Sequence, residues 1–167
     1  MTMTDDEDAL DFAIVVYRED DHWEAEMLPV ALTSDLRGLV QALRQTPSMG
    51  TTIGMVAVGD DFFVVLRVFG ERVSVFLSDI TAAWDWSLAR QVLEYLDVPV
   101  PEADEEDLDG VYPAGDLSIF ADLGLDEMEL GALSGDLDLL PDEVLSSIAA
   151  RLGFSHPFER AVDAAVG

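Results

Sequence analysis

Two segments of this chain, Phe12-Ala13-Ile14-Val15-Val16-Tyr17 and Phe62-Phe63-Val64-Val65-Leu66, are apolar at consecutive positions. Side chains alternate sides along a strand, so a sheet with one wet face shows apolar residues only at every second position. Strands of this kind cannot have a wet face. Any sheet they join must be covered on both sides. With 167 residues, half of them apolar, the chain is long enough to supply that cover.

The rest of the pattern says where the cover comes from. Glu19-Asp20-Asp21 turns the first strand into a half-polar second one around Trp23 to Leu28. Thr33 and Ser34 are N-cap candidates for a helix with Leu36, Leu39, Val40 and Leu43 on one stripe. Three strands follow, Ile53 to Val58, Phe62 to Phe69 and Arg72 to Leu77, separated by Gly59-Asp60-Asp61 and by Gly70-Glu71, the latter suiting a type II′ turn. Asp85 is the expected cap of a second helix carrying Leu88, Ala89, Val92, Leu93 and Leu96 inward, stopped by Pro99 and Pro101. Beyond the break come short helices: one capped by Asp116, one with the Asp126/Glu129 capping-box pair, one with Pro141 in its first turn, and one from Ser155 or His156.

The expected architecture is therefore α+β: a five-stranded antiparallel sheet in the sequence ββαβββα, with helices on both faces and a C-terminal helical segment. The order 2-1-5-4-3, as in profilin-like and longin-like domains, is the arrangement this pattern suggests. The expected divisions are a disordered acidic tail over residues 1–9, a sheet domain over 10–98, an acidic linker over 99–112 and a helical module over 113–167 that packs on the sheet.

Charge bounds the function. The chain has 35 Asp and Glu, eight Arg and no Lys, a formal charge of -27, and between Arg90 and Arg151 it holds 17 acids and no base. Such a surface repels phosphate backbones and anionic lipid, and attracts basic proteins. Direct nucleic-acid or membrane binding is not expected. One reading of the acidity is solubility or salt adaptation; the other, favoured by the clustering, is a face for a basic partner. Zero cysteine removes disulfides and thiolate metal sites. The start is acidic where a secretory signal would be basic and then apolar, so a cytoplasmic location is expected.

The candidate chemical motifs fail on inspection. His22-Trp23-Glu24 matches half of a zinc deaminase signature whose other half needs cysteines. Glu105, Asp107, Asp109, Gly110 and Asp116 fall at EF-hand loop positions, yet Pro113 intrudes and the final bidentate Glu is missing. No serine stands in a nucleophile elbow, His156 precedes Pro157 at a helix start, and the glycines form no phosphate loop. No catalytic residue, cofactor site or metal site is expected. The candidate partner-binding residues are the carboxylates Glu102, Asp104, Glu105, Glu106, Asp107 and Asp109, with too little apolar surface among them to order on their own. Trp84 and Trp86 flank a helix cap; they either anchor the helix to the sheet or serve as interface anchors. Leu137 to Pro141 has the same two readings.

Several segments together resemble a known family. They are Phe12-Ala13-Ile14-Val15-Val16-Tyr17-Arg18-Glu19-Asp20 with Trp23-Glu24, Asp61-Phe62-Phe63-Val64-Val65, and Leu77-Ser78-Asp79-Ile80-Thr81-Ala82-Ala83. With them go Pro113-Ala114-Gly115-Asp116-Leu117, Met128-Glu129-Leu130-Gly131-Ala132-Leu133 and Arg151-Leu152-Gly153-Phe154. The set is similar to the tRNA adenosine deaminase-associated proteins of high-GC bacteria, over residues 12 to 163. The resemblance brings no catalytic residues. It implies a companion of a zinc enzyme whose tRNA-binding surface is basic, and so a non-catalytic accessory or regulatory protein. In a variant of this reading the acidic segment mimics tRNA. The rivals are an enzyme of unrecognised, carboxylate-based type and a structural domain whose acidity serves only solubility.

Overall fold

Asp20 and Asp21 turn the chain at φ 51° and 70°, closing a hairpin between β1 (Phe12–Glu19) and β2 (His22–Met27). In this computed structural model residues 12–46, 50–59, 61–101, 112–136 and 138–166 are described. The expected acidic tail and most of the acidic linker lie outside them.

After β2 a 3-10 turn, Val30–Ser34, leads into α1 (Leu36–Gln45). Its cap is Asp35, whose Oδ1 accepts from the Gly38 N–H at 3.0 Å, in place of the expected Thr33 or Ser34. The 3-10 turn includes Thr33 and Ser34, and the charged Asp35 carboxylate that follows it is well suited to the orphan N–H groups. The meander β3 (Thr51–Val58), β4 (Phe62–Phe69) and β5 (Arg72–Leu77) follows as expected, with Gly70 at φ 63° in the last turn.

A second 3-10 turn, Ile80–Trp84, is capped by Asp79, and α2 (Ser87–Leu96) starts after it. The N-cap position belongs to Trp86 and not to Asp85, which closes the 3-10 turn through its N–H to Ala82 O. Beyond the linker are β6 (Ala114–Gly115), α3 (Glu127–Ser134), α4 (Pro141–Leu152) and α5 (Ser155–Val166). The Asp126/Glu129 capping box forms at α3, and Gly153 ends α4 at φ 95°.

The sheet is antiparallel and six-stranded, in the order β2-β1-β3-β4-β5-β6. This corrects the expected five strands and the expected order 2-1-5-4-3. The antiparallel pattern does not decide between the orders, because either β3 or β5 can lie antiparallel to β1. Burial decides. All eight residues of β3 are buried, whereas β5 begins with exposed and half-buried positions. A central place for β3 keeps Ile53, Met55 and Val56 out of water; at the edge each would forfeit part of the about 1.5–3 kcal/mol that full burial of such a side chain is worth. Gly54 helps hold β3 there: a Cβ on it would lie 3.0 Å from Leu43 Cδ1, so α1 packs tightly over this strand. β6 escaped sequence reading because it is two residues long. Gly115, at φ 112°, approaches β5 so closely that a Cβ would lie 2.3 Å from Val75 O.

Helices on both faces, as expected, follow from strands apolar on both. Ala13, Val15, Val56, Val64 and Leu77 pack under α1 and α2. Phe12, Ile14, Ile53, Val65 and Phe76 pack under the segment from Ile119 to Ala161. The C-terminal helices thus form one core with the sheet. Phe158 meets Phe12 edge-on at 6.2 Å, and Phe154 lies 5.2 Å from Trp23. Among the described residues no helix is long and apolar enough to cross a membrane.

Candidate partner-binding surface

The turn around Trp84-Asp85-Trp86 is built by its neighbours' hydrogen bonds. Asp79 Oδ1 accepts from the Thr81 N–H at 3.0 Å and from its hydroxyl at 2.8 Å, which tightens the 3-10 turn. The Asp85 and Trp86 N–H groups both donate to Ala82 O. Buried Ala82 and Ala83 hold this corner against the core under α2, and the two indoles are left at the rim.

Neither tryptophan is wholly anchor or wholly surface. Trp84 is 37% exposed and donates its Nε1–H to Pro101 O at 2.7 Å, fastening the start of the linker to this turn. Trp86 is 36% exposed and leans on Phe62 at 6.2 Å between ring centres. Phe62 in turn lines a cleft of about 290 Å³ together with Asp61, Asp79, Asp136 and Leu140. The ends of β4 and β5 meet the α3–α4 connection there. Asp136 caps a local turn through the Asp138 N–H at 3.0 Å, and Leu140 stands 42% exposed while Leu139 packs on the core. Within Leu137 to Pro141, read as either core contact or docking segment, Leu139 is a core contact and Leu140 a surface one; Leu137 lies outside the described residues. The corner combines rigid aromatic area with carboxylates, the composition that suits a basic protein surface.

The expected partner-binding carboxylates Glu102, Asp104, Glu105, Glu106, Asp107 and Asp109 lie outside the described residues. Trp84, hydrogen-bonded to Pro101, marks where that segment begins. Asp116, the last position of the EF-hand spacing, accepts from the Ser118 N–H and hydroxyl at 2.9 and 2.6 Å. His22 sits at the β1–β2 turn with Nε2 2.6 Å from a Glu24 oxygen, a hydrogen bond that raises its pKa from the ordinary 6.5. On the same strand pair the Tyr17 hydroxyl donates to Glu26 at 2.8 Å, and its pKa is pushed up to about 12. Among the described residues no three His, Asp or Glu side chains gather as a metal site would need.

One polar cluster escaped the sequence reading. Arg67 stands in β4 among apolar neighbours and is buried. It donates to Thr51 Oγ1 at 2.6 Å, Ile119 O at 2.8 Å and both Asp122 oxygens at 2.5 and 2.9 Å. The guanidinium beside Asp122 holds that carboxyl below its ordinary range. A lone charge in a strand apolar on both faces was the available signal, since a buried cation demands a partner. Its role is structural: it ties the turn after β6 to the sheet.

A family model described as Rv3753c-like tRNA adenosine deaminase-associated protein matches residues 11–155. Protein Rv3753c of Mycobacterium tuberculosis (strain ATCC 25618 / H37Rv) is 39% identical over 153 residues, covering 91% of this chain and 87% of that protein. No solved structure matches the chain significantly.

Proposed function

This chain belongs to the Rv3753c-like tRNA adenosine deaminase-associated proteins, and from that membership we propose that it is a non-catalytic accessory or regulatory protein of tRNA adenosine deaminase, docking on a basic surface of that enzyme. The family is described by association with a deaminase and not as one. The observation that carries the docking reading is the corner where Trp86, 36% exposed, leans on Phe62 beside a cleft holding Asp61, Asp79 and Asp136.

The physical division of labour is simple. The charge of -27 draws a basic partner in and raises the association rate. The half-exposed indoles and Leu140 supply the area that water leaves on contact, which sets how long the complex lasts. The carboxylates of Glu102 to Asp109 contribute six of the chain's negative charges. Cytoplasmic residence fits a partner that acts on tRNA.

The test is capture of purified tRNA adenosine deaminase on the immobilised chain, with Trp84→Ala/Trp86→Ala as the comparison. Capture that falls in the double variant supports the reading. Absence of any capture by the parent chain rejects it.

A further inference from the structure

The outer edge of β5 is only half used. β6 pairs with Phe76 and Leu77 alone, and then the Asp116 N–H donates to Val75 O at 3.1 Å before the chain turns away. It leaves across the sheet face, where Arg67 holds Ile119 O. In an antiparallel ladder, alternate residues direct their N–H and C=O to the same side. Ser78 N donates toward β4 and Val75 O faces β6, so Val73 directs both its backbone groups outward as well. No described residue meets them.

Beside this free edge lies a cleft of about 340 Å³. One wall is the sheet, with Arg67 opposite Ser74 and Phe69 opposite Arg72 in register, all four on one face. The other wall is the turn of Ser118 and Ile119. Phe69 is 56% exposed, with Arg67 stacked on it at 5.6 Å. The charges in the cleft are not equally engaged. Asp122 is held by Arg67, and Asp116 by Ser118, while Arg72 has no ion-pair partner among the described residues.

We propose that the edge Arg72–Ser74, just before the point where Asp116 takes Val75 O, is a second docking site, which takes an extended segment of a partner protein as an added antiparallel strand carrying a carboxylate opposite Arg72. The unpaired backbone of Val73 selects a strand, because only an extended chain satisfies both groups at once. The side chains of that strand opposite Arg72 and Ser74 enter the cleft, the first as an acid and the second as an apolar residue beside Ile119. A second copy of this chain is the poorer occupant, since two bodies of charge -27 repel. The site lies apart from the Trp86 corner and does not depend on the deaminase reading.

The test uses a displayed library of random ten-residue peptides selected against the full chain. The expected winners alternate β-branched or aromatic residues with polar ones and share one Asp or Glu. Val73→Pro removes the outward N–H at a position where an edge strand tolerates proline, so folding is retained by far-UV circular dichroism while peptide affinity falls at least about tenfold. Arg72→Glu, also folded, shifts the preference from an acid to a Lys or Arg at the shared position. Peptides that bind the Val73→Pro protein equally well, an acid preference unchanged by Arg72→Glu, or no enrichment at all would overturn the proposal. So would concentration-dependent self-association of the parent chain that Val73→Pro abolishes, because the edge would then belong to a second copy.

Discussion

Arg67 and Asp122, 55 positions apart, meet through two hydrogen bonds of 2.5 and 2.9 Å and lock the turn after β6 onto the sheet. The arginine side chain is 10% exposed and the aspartate 63%, so desolvation falls on the cation while water still screens its partner. Thr51 and Ile119 complete the cage. The two clefts at opposite ends of β4 and β5 owe their walls to this attachment and to the α3–α4 packing, where Arg151 pairs with Glu129.

Asp122→Asn is expected to cost about 1 kcal/mol at neutral pH, at the low end because the carboxylate is well exposed. The Asp122 pKa is lowered in the folded protein, so its contribution is present above the unfolded value near 3.9 and is lost as pH falls through the folded value. Urea unfolding from pH 7 down to pH 2 should show the variant's deficit closing below about pH 4. A deficit that stays constant over this range would contradict the ion-pair origin.

His22 should titrate above its ordinary 6.5, because the Glu24 carboxylate and the Asp20 carbonyl both favour the imidazolium. A raised pKa means that any help to folding is present below the unfolded value and vanishes as pH rises through the folded one. The ring is exposed, so the readout is the NMR titration of its carbon-bound protons and not stability. Glu24→Gln should bring the midpoint down; an unchanged midpoint would show that Glu24 is not the cause.

Phe154→Ala should destabilise the whole chain by about 3–5 kcal/mol, since the ring is fully buried against Trp23. The finer expectation is cooperative loss: tryptophan fluorescence, read with Trp84 and Trp86 replaced by Phe so that Trp23 alone reports, and far-UV circular dichroism should show one transition at one urea midpoint. Two separate transitions would mean that the C-terminal helices unfold independently of the sheet.

Much of this fold was legible because its strands are extreme. Phe12–Tyr17 and Phe62–Leu66, apolar at every position, required cover on both faces, and the Asp126/Glu129 and Pro141 signals placed two of the covering helices. Strand order was not legible from polarity, which is the same for β3 and β5 relative to β1; only the difference between the wholly apolar core of β3 and the polar start of β5 separates them. The partner of Arg67 was hidden by abundance, since any of the 17 acids between Arg90 and Arg151 could have served. Trp84 and Trp86 were visible as a pair, but their division between core and solvent depends on Pro101 and Phe62, which lie at the ends of other elements.

The central claim is an electrostatically drawn complex with tRNA adenosine deaminase, and the ionic-strength dependence of its association rate tests that most directly. Rates measured by stopped flow or surface capture should fall steeply as the Debye length shrinks from about 30 Å at 0.01 M to about 8 Å at 0.15 M salt. Neutralising Glu105, Glu106 and Asp107 together should flatten that slope, while Trp86→Ala should act mainly by speeding dissociation. A complex that forms at a rate indifferent to salt, or no complex at micromolar protein in 50 mM salt, would contradict the account.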